Sequence, residues 1–124
     1  LDDRQIAAGG ALLRALHDAT SSSPLCGIHE VVCHGDASPC NAVFVDDLPV
    51  AWIDFDAAYP GRRLDDLGYA AWTWVDVGEP EHDPVEIGRR LGLFAGHYGL
   101  LEPDDLLVGL MDAQRRLMRR FSAS

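Results

Sequence analysis

The sequence contains no lysine: its ten fixed positive charges are all arginines. A P-loop for nucleotide phosphates requires its lysine, so this class of site is excluded. Schiff-base chemistry through a lysine of this chain is excluded for the same reason. The formal net charge is −10. This charge disfavours nucleic acid and anionic membranes as partners, because both are negatively charged and are bound mainly through lysine and arginine.

Long apolar runs and a regular set of cysteines are also missing. No stretch approaches the roughly 20 apolar residues that span a bilayer, and the N-terminus shows no signal-peptide pattern. Cys26, Cys33 and Cys40 are odd in number, and their spacing does not match zinc-binding patterns. We therefore expect free thiols in a reducing, cytoplasmic setting.

The residues that are present suit one helix-rich domain. The chain has 124 residues, of which 48% are hydrophobic, enough for a core of its own. Helical periodicity predicts helices over residues 5–19 and 86–98, and a last helix that begins at Pro103. Gly9 and Gly10 are expected to weaken the middle of the first helix.

Short strands are predicted in the first half of the chain. Val31–Cys33 is expected to form one strand. Ala42–Val45 and Val50–Ile53 are expected to form a hairpin, joined by a four-residue turn from Asp46 to Pro49. These strands predict one small sheet.

A turn and a helix are predicted after the hairpin. Tyr59, Pro60 and Gly61 are typical of a turn. Asp65 or Asp66 is expected to N-cap the helix that follows, which would run to about Val77. With the other helices, this predicts an α+β fold that is mainly helical.

Two polar clusters flank the predicted hairpin. His34, Asp36 and Asn41 precede it, in the stretch VVCHGDASPCNAVFVDD, and Asp54 ends it. A hairpin returns the chain to its start, so Asn41 and Asp54 are expected to lie close together, with Asp36 on the entering loop. Such oxygen donors suit Mg²⁺ and phosphoryl transfer, which needs a proton-accepting aspartate and an Asn and an Asp that bind metal. Ordinary turn and cap residues are the alternative.

The order His-Gly-Asp-x-x-x-x-Asn and then Ile-Asp-Phe-Asp resembles the C-terminal lobe of the aminoglycoside phosphotransferase and choline kinase-like family, strongly over residues 25–74. The resemblance implies the helical lobe of a protein-kinase-like fold, in which a small β-hairpin carries the catalytic and metal-binding segments. It also implies Mg²⁺-dependent transfer of the γ-phosphate of ATP, or of GTP, to a small-molecule hydroxyl. Bacterial antibiotic-resistance enzymes belong to this family.

The resemblance assigns a catalytic base, two magnesium ligands and two structural supports of the catalytic loop. In that order, these residues are Asp36; Asn41 and Asp54; and His34 and Asp66. Asp65 competes with Asp66 for the last role.

The chain departs from the family in one large respect. Residues 1–124 match none of the N-terminal nucleotide-binding lobe, to which the absent lysine belongs. We therefore expect a single C-terminal lobe of a larger enzyme, inactive alone, whose exposed apolar surface favours self-association. The acidic loop at residues 76–83 would suit a cationic, aminoglycoside-like acceptor, or it is simply solvated.

Two other functions stay open at this point. One is a catalytically silent kinase-like module that only binds a partner. The other is a metal-dependent phosphohydrolase that uses His34, Asp36 and Asp54.

Overall fold

The computed structural model describes residues 1–75 and 83–99, and the single positions 111, 115 and 119. The described residues form three helices and two small antiparallel sheets, which confirms the α+β class and its mainly helical character. Two single turns of 3₁₀ helix lie at Pro24–Cys26 and Pro39–Asn41. The other elements are α1 (Asp3–Thr20), β1 (Val31–Cys33), β2 (Ala42–Val45), β3 (Leu48–Trp52), β4 (Tyr59–Gly61), α2 (Arg63–Val75) and α3 (Pro84–Tyr98).

Some predictions fall on other parts of the chain. The predicted helix from Pro103 lies outside the described residues, apart from three positions that are helical. Most of the acidic loop at residues 76–83 lies outside them too. Among the described helices, none is both long and apolar enough to cross a membrane.

The two glycines of α1 lie where other helices approach it most closely. A Cβ at Gly9 would stand 2.6 Å from the ring of Trp74, and one at Gly10 would overlap the carbonyl oxygen of Phe94. The sequence suggested only that these glycines weaken the helix. Their absent side chains instead allow α1 to pack directly against α2 and α3.

The hairpin of β2 and β3 is tighter than predicted. Val45 pairs with Leu48, so the expected four-residue turn is wrong and only Asp46 and Asp47 remain in it. Both have a positive φ, 52° and 66°. Two-residue hairpin turns require this conformation, and Asp tolerates it better than most residues. Strand β3 therefore begins earlier than predicted and ends at Trp52.

The segment Tyr59–Gly61 forms strand β4 and not the predicted turn. It pairs antiparallel with β1, and Val31 lies opposite Gly61 while Cys33 lies opposite Tyr59. Pairing with a strand that is distant in sequence, rather than local turn chemistry, decides this conformation. The fold thus has two small sheets, and the prediction of a single sheet is wrong.

Helix α2 begins at Arg63, so neither Asp65 nor Asp66 is its N-cap as predicted. Both lie in the first turn, where carboxylates suit the helix dipole. Asp65 Oδ2 accepts the backbone N–H of Arg62 at 3.1 Å, one half of a capping box. The predicted end at Val77 lies outside the described residues.

Helix α3 has clear signals at both ends. The side chain of Asp83 accepts the N–H of Val85 at 3.1 Å, and Pro84 occupies the first turn. Gly99, with a φ of 95°, ends the helix in the left-handed conformation. The predicted helix over residues 86–98 is confirmed, with an earlier start.

The core lies between the three helices and the hairpin, around Trp74. The ring of Trp74 lies 6.0 Å from those of Trp52 and Phe94. The indole N–H of Trp74 donates to the carbonyl of Ala37 at 2.9 Å, and that of Trp52 donates to the carbonyl of Leu12 at 3.2 Å. Both buried N–H groups are thus satisfied. The first bond ties the core to the loop after β1.

Candidate functional site

His34 connects the loop after β1 with the end of the hairpin. The side chain is fully buried. Its Nδ1 accepts the backbone N–H of Asp36 at 3.1 Å, and its Nε2 donates to the carbonyl of Ile53 at 2.7 Å. An N–H can only donate and a carbonyl can only accept, so these partners fix the Nε2–H tautomer. One imidazole therefore positions both Asp36 and the peptide directly before Asp54.

The carboxylate of Asp36 is oriented from two sides. The hydroxyl of Tyr69 donates to Oδ1 at 2.5 Å, and Asn41 Nδ2 donates to Oδ2 at 2.9 Å. The same Asn41 amide also donates to the backbone carbonyl of Asp36 at 2.9 Å. A carboxylate oxygen has more than one lone pair, so Asp36 can still accept a proton from a hydroxyl.

Asn41 and Asp54 lie at the open end of the hairpin. The carbonyl of Asn41 accepts the N–H of Ile53 at 2.9 Å, which places the backbone of Asn41 next to Asp54. Asn41 Oδ1 accepts no hydrogen bond from the described residues. Asp54 is exposed, and in the same part of the chain it has no hydrogen bond or ion pair. Its φ is 59°, an uncommon backbone conformation that is often found at functional sites.

Asp66 supports the loop from the first turn of α2. Its Oδ2 accepts the backbone N–H of His34 at 2.7 Å, and its Oδ1 accepts that of Gly35 at 3.1 Å. A third donor is His17 Nε2, 2.8 Å from Oδ2. The carboxylate is buried, with three charge-assisted hydrogen bonds in place of water. The neighbouring carboxylate of Asp65 accepts hydrogen bonds from the backbone N–H and the guanidinium of Arg62.

Gly35 is required by the shape of this loop. Its φ is 87°, and a Cβ would overlap the carbonyl oxygen of Ala57. Any larger residue would both strain the backbone and displace the neighbouring segment. The glycine thus allows Ala57 to pack directly against the residue before Asp36.

Three residues of the site were missed by the sequence reasoning. Tyr69 stands three positions after Asp66, on the same face of α2, which was a usable signal. His17 is fully buried in α1, and Tyr98, the last residue of α3, is buried too. The hydroxyl of Tyr98 lies 2.6 Å from His17 Nδ1.

Comparison with known proteins adds no family to this geometry. Protein families, curated proteins and solved structures gave no match to this chain. The roles that the family resemblance assigns therefore stay predictions, and any function has to be argued from the contacts above.

A second group of metal-binding side chains lies behind the loop. Ligand atoms of His17, Cys33 and Asp66 all lie within 4.8 Å of one another, and the three side chains are buried. Both ring nitrogens of His17 are already hydrogen-bonded, and Asp66 already accepts three N–H groups. A metal ion would have to displace these bonds. The group therefore fits a hydrogen-bonded support better than a metal centre.

Oxygen donors of the kind that hard cations prefer are offered by Asn41 and Asp54. Mg²⁺ binds oxygen ligands and keeps several waters, so it needs an accessible position. Asn41 Oδ1 and the exposed carboxylate of Asp54 meet both requirements. Together with Asp36, they form the candidate site.

Proposed function

We propose that this chain is the helical lobe of a phosphotransferase with a protein-kinase-like fold, similar to the aminoglycoside phosphotransferases. Its reaction would transfer the γ-phosphate of ATP, or of GTP, to the hydroxyl of a small molecule. One observation carries the proposal: Asp36, Asn41 and the backbone before Asp54 are hydrogen-bonded to one another, directly and through His34. Unrelated turn residues would not need a shared buried histidine.

Asp36 is the residue suited to proton transfer. As the acceptor hydroxyl attacks the γ-phosphorus, its proton passes to a free lone pair of the Asp36 carboxylate. The bond between the γ-phosphorus and its bridging oxygen breaks, and the nucleoside diphosphate leaves. General base catalysis of this type contributes about 10²- to 10⁴-fold to a rate. Tyr69 and Asn41 keep the carboxylate in one orientation throughout.

Asn41 and Asp54 are the residues suited to hold Mg²⁺. Asn41 offers Oδ1, since its Nδ2 is bonded to Asp36. Asp54 offers a whole carboxylate to solvent. When bound, Mg²⁺ would neutralise phosphate charge during transfer.

The proposal requires a second part of the nucleotide-binding site, which would contact the phosphates. No lysine of this chain can contact the ATP phosphates, because it has none. The outer face of the hairpin offers an apolar surface on which this second part can pack. Its residues Val43, Val45 and Val50 are 39%, 54% and 51% exposed. We infer that a nucleotide-binding lobe packs there.

Phosphate transfer from radiolabelled ATP tests the proposal directly. The full-length protein containing this chain is screened with Mg²⁺ against aminoglycosides and other small alcohols. With any acceptor found, Asp36→Asn should lower kcat by about 10²- to 10⁴-fold and leave the affinity for Mg-nucleotide within about twofold. Asp54→Asn should instead weaken Mg-nucleotide binding.

Asp47→Asn is the matched control for Asp54→Asn. Asp47 is also exposed and also has a positive φ, but it lies at the other end of the hairpin. Its variant should behave as the unchanged protein. Full activity of Asp36→Asn would rule out Asp36 as the base.

The two alternative functions have distinct outcomes in the same screen. A silent binding module would bind nucleotide or a partner but transfer no phosphate. A phosphohydrolase would release phosphate from monoesters without ATP. The structure disfavours the second, because both nitrogens of His34 are engaged inside the fold and neither faces solvent.

A further inference from the structure

The strongest unassigned feature is a buried chain of hydrogen bonds behind the loop. It runs from Tyr98 on α3 through His17 on α1 to Asp66 on α2. All three side chains are at most 2% exposed. We call these three residues the buried triad. Its far end, Asp66, accepts the N–H groups of the two residues that precede Asp36.

The hydrogen bonds of the buried triad run in one direction. A guanidinium can only donate, and Arg63 Nη1 lies 3.3 Å from the hydroxyl oxygen of Tyr98. A carboxylate can only accept, so His17 Nε2 donates to Asp66. The hydroxyl of Tyr98 completes the chain by donating to His17 Nδ1. Tyr98 and His17 thus each have a partner for their donor and for their acceptor, and both carboxylate oxygens of Asp66 accept.

The direction of these bonds gives His17 a specific task. A lone carboxylate on a helix has several rotamers, and only one presents both oxygens to the loop. His17 Nε2 bonds to the same Oδ2 that accepts the N–H of His34. Removing this donor would free Asp66 to rotate, and the loop would lose its fixed acceptor.

From this geometry we propose that His17 is a positioning residue for Asp36, acting through Asp66 on the backbone of His34 and Gly35. As far as it concerns Asp36 as a base, this rests on the proposed phosphotransferase function. Tyr98 orients the imidazole, and it also makes the position of α3 part of the same network. His17 itself touches neither the acceptor nor the nucleotide.

A pair of substitutions separates the two hydrogen bonds of His17. His17→Gln can place an amide N–H near the position of Nε2, which keeps the bond to Asp66 and loses the acceptor for Tyr98. His17→Asn can place an oxygen near Nδ1, which keeps the bond to Tyr98 and loses the donor to Asp66. Tyr98→Phe removes only the hydroxyl and serves as the third variant.

Amide hydrogen exchange of His34 and Gly35 is the first readout, since it needs no catalysis. His17→Asn should accelerate exchange of both amides by about tenfold to hundredfold, the usual range for a lost bond to a charged group. His17→Gln should stay within about threefold of the unchanged protein, and Tyr98→Phe should fall between them. Global stability is measured on each variant so that exchange by complete unfolding is subtracted.

Steady-state kinetics of the full-length protein is the second readout. His17→Asn should lower kcat by about tenfold without raising KM for the nucleotide, and His17→Gln should restore most of the rate. Equal exchange in His17→Asn and His17→Gln would overturn the proposal, as would a change that only follows global stability. If the amides respond but no phosphate transfer exists, the loop-positioning role stands and the phosphotransferase proposal fails.

Zinc titration is the third test of the proposal. If the cluster of His17, Cys33 and Asp66 were a metal centre, Zn²⁺ would bind stoichiometrically, and Cys33→Ser would abolish the binding. The positioning role predicts no stoichiometric binding and unchanged amide exchange in Cys33→Ser. Stoichiometric binding at these residues would overturn it.

Discussion

The two aspartates of the candidate site differ sharply in how the fold holds them. Asp36 is half-buried, and its backbone N–H and both carboxylate oxygens are hydrogen-bonded. Asp54 is exposed, and its carboxylate contacts no other described residue. Asp36 follows strand β1, and Asp54 follows strand β3.

This difference suggests two ways of preparing a site. Under the proposed function, Asp36 is a proton acceptor that has to point in one direction before the substrate arrives, and the hydrogen-bond donors around it would provide this. A metal ligand can be ordered by the ion itself. The backbone of Asp54 has a φ of 59°, a conformation that is uncommon for residues other than glycine.

The largest expected effect is on the support behind Asp36. Asp66→Asn should lower the free energy of unfolding by about 2–4 kcal/mol, because one side of the new amide would place a donor against a buried N–H. Urea denaturation measures this. Asp65→Asn, one position away and outside the network, is the control and should lose less than about 1 kcal/mol. Equal losses would mean that Asp66 does not support the loop.

The next prediction concerns the hydrogen bond by which Tyr69 orients the carboxylate of Asp36. Tyr69→Phe should lower kcat of the full-length protein by about tenfold, since the carboxylate loses the donor to Oδ1. KM for the nucleotide should stay unchanged. Thr73→Val, on the same helix, removes a hydroxyl that bonds only to Ala70 and should leave kcat unchanged. A change confined to KM would place Tyr69 in binding rather than in orientation.

An ionisable group of the buried triad predicts that stability depends on pH. Burial raises the pKa of Tyr98 above its ordinary value of 10.0. The folded protein then holds this proton more tightly than the unfolded chain. Its stabilisation is complete below about pH 10 and is lost as the pH rises through the folded-state pKa.

Tyr98→Phe tests this pH dependence. The variant should be less stable at neutral pH, where the hydroxyl is missing from the buried triad. It should also lose less stability than the unchanged protein when the pH is raised into the alkaline range. Urea unfolding at a series of pH values measures both. Parallel curves for the two proteins would contradict the assignment to Tyr98.

The smallest effect is expected at Asp54. Asp54→Gly should change the free energy of unfolding by less than about 0.5 kcal/mol, because no described contact is lost and glycine accepts a positive φ. Asp36→Ala should cost about 1–3 kcal/mol, since it removes the carboxylate to which Tyr69 and Asn41 donate. A loss above 1 kcal/mol for Asp54→Gly would show that contacts in the folded protein stabilise Asp54 as well.

Local patterns in the sequence predicted the larger elements. Apolar spacing located α1 and α3. The same patterns failed where conformation depends on distant partners. Tyr59–Gly61 has turn-forming residues, yet pairing with β1 makes it a strand. Asp46 and Asp47 form a two-residue turn without the glycine that usually signals one.

The site was predictable where residues are close in sequence. The hairpin brings Asn41 to Ile53, as its length suggested, and the resemblance directed attention to His34 and Asp66. The buried triad could not be found in the same way. His17 lies 49 residues from Asp66 and 81 from Tyr98, so no local pattern links them. Only the packing of three helices reveals that this histidine has polar partners.

The contact of Trp74 with the loop also gives the protein a built-in optical reporter. Its indole N–H donates to the carbonyl of Ala37, the residue directly after Asp36, and its ring is fully buried. Indole emission moves to longer wavelength when the ring becomes exposed to water. With Trp52 and the partly exposed Trp72 both replaced by phenylalanine, Trp74 would be the one remaining tryptophan, and its emission spectrum would report movement of the loop without any attached dye.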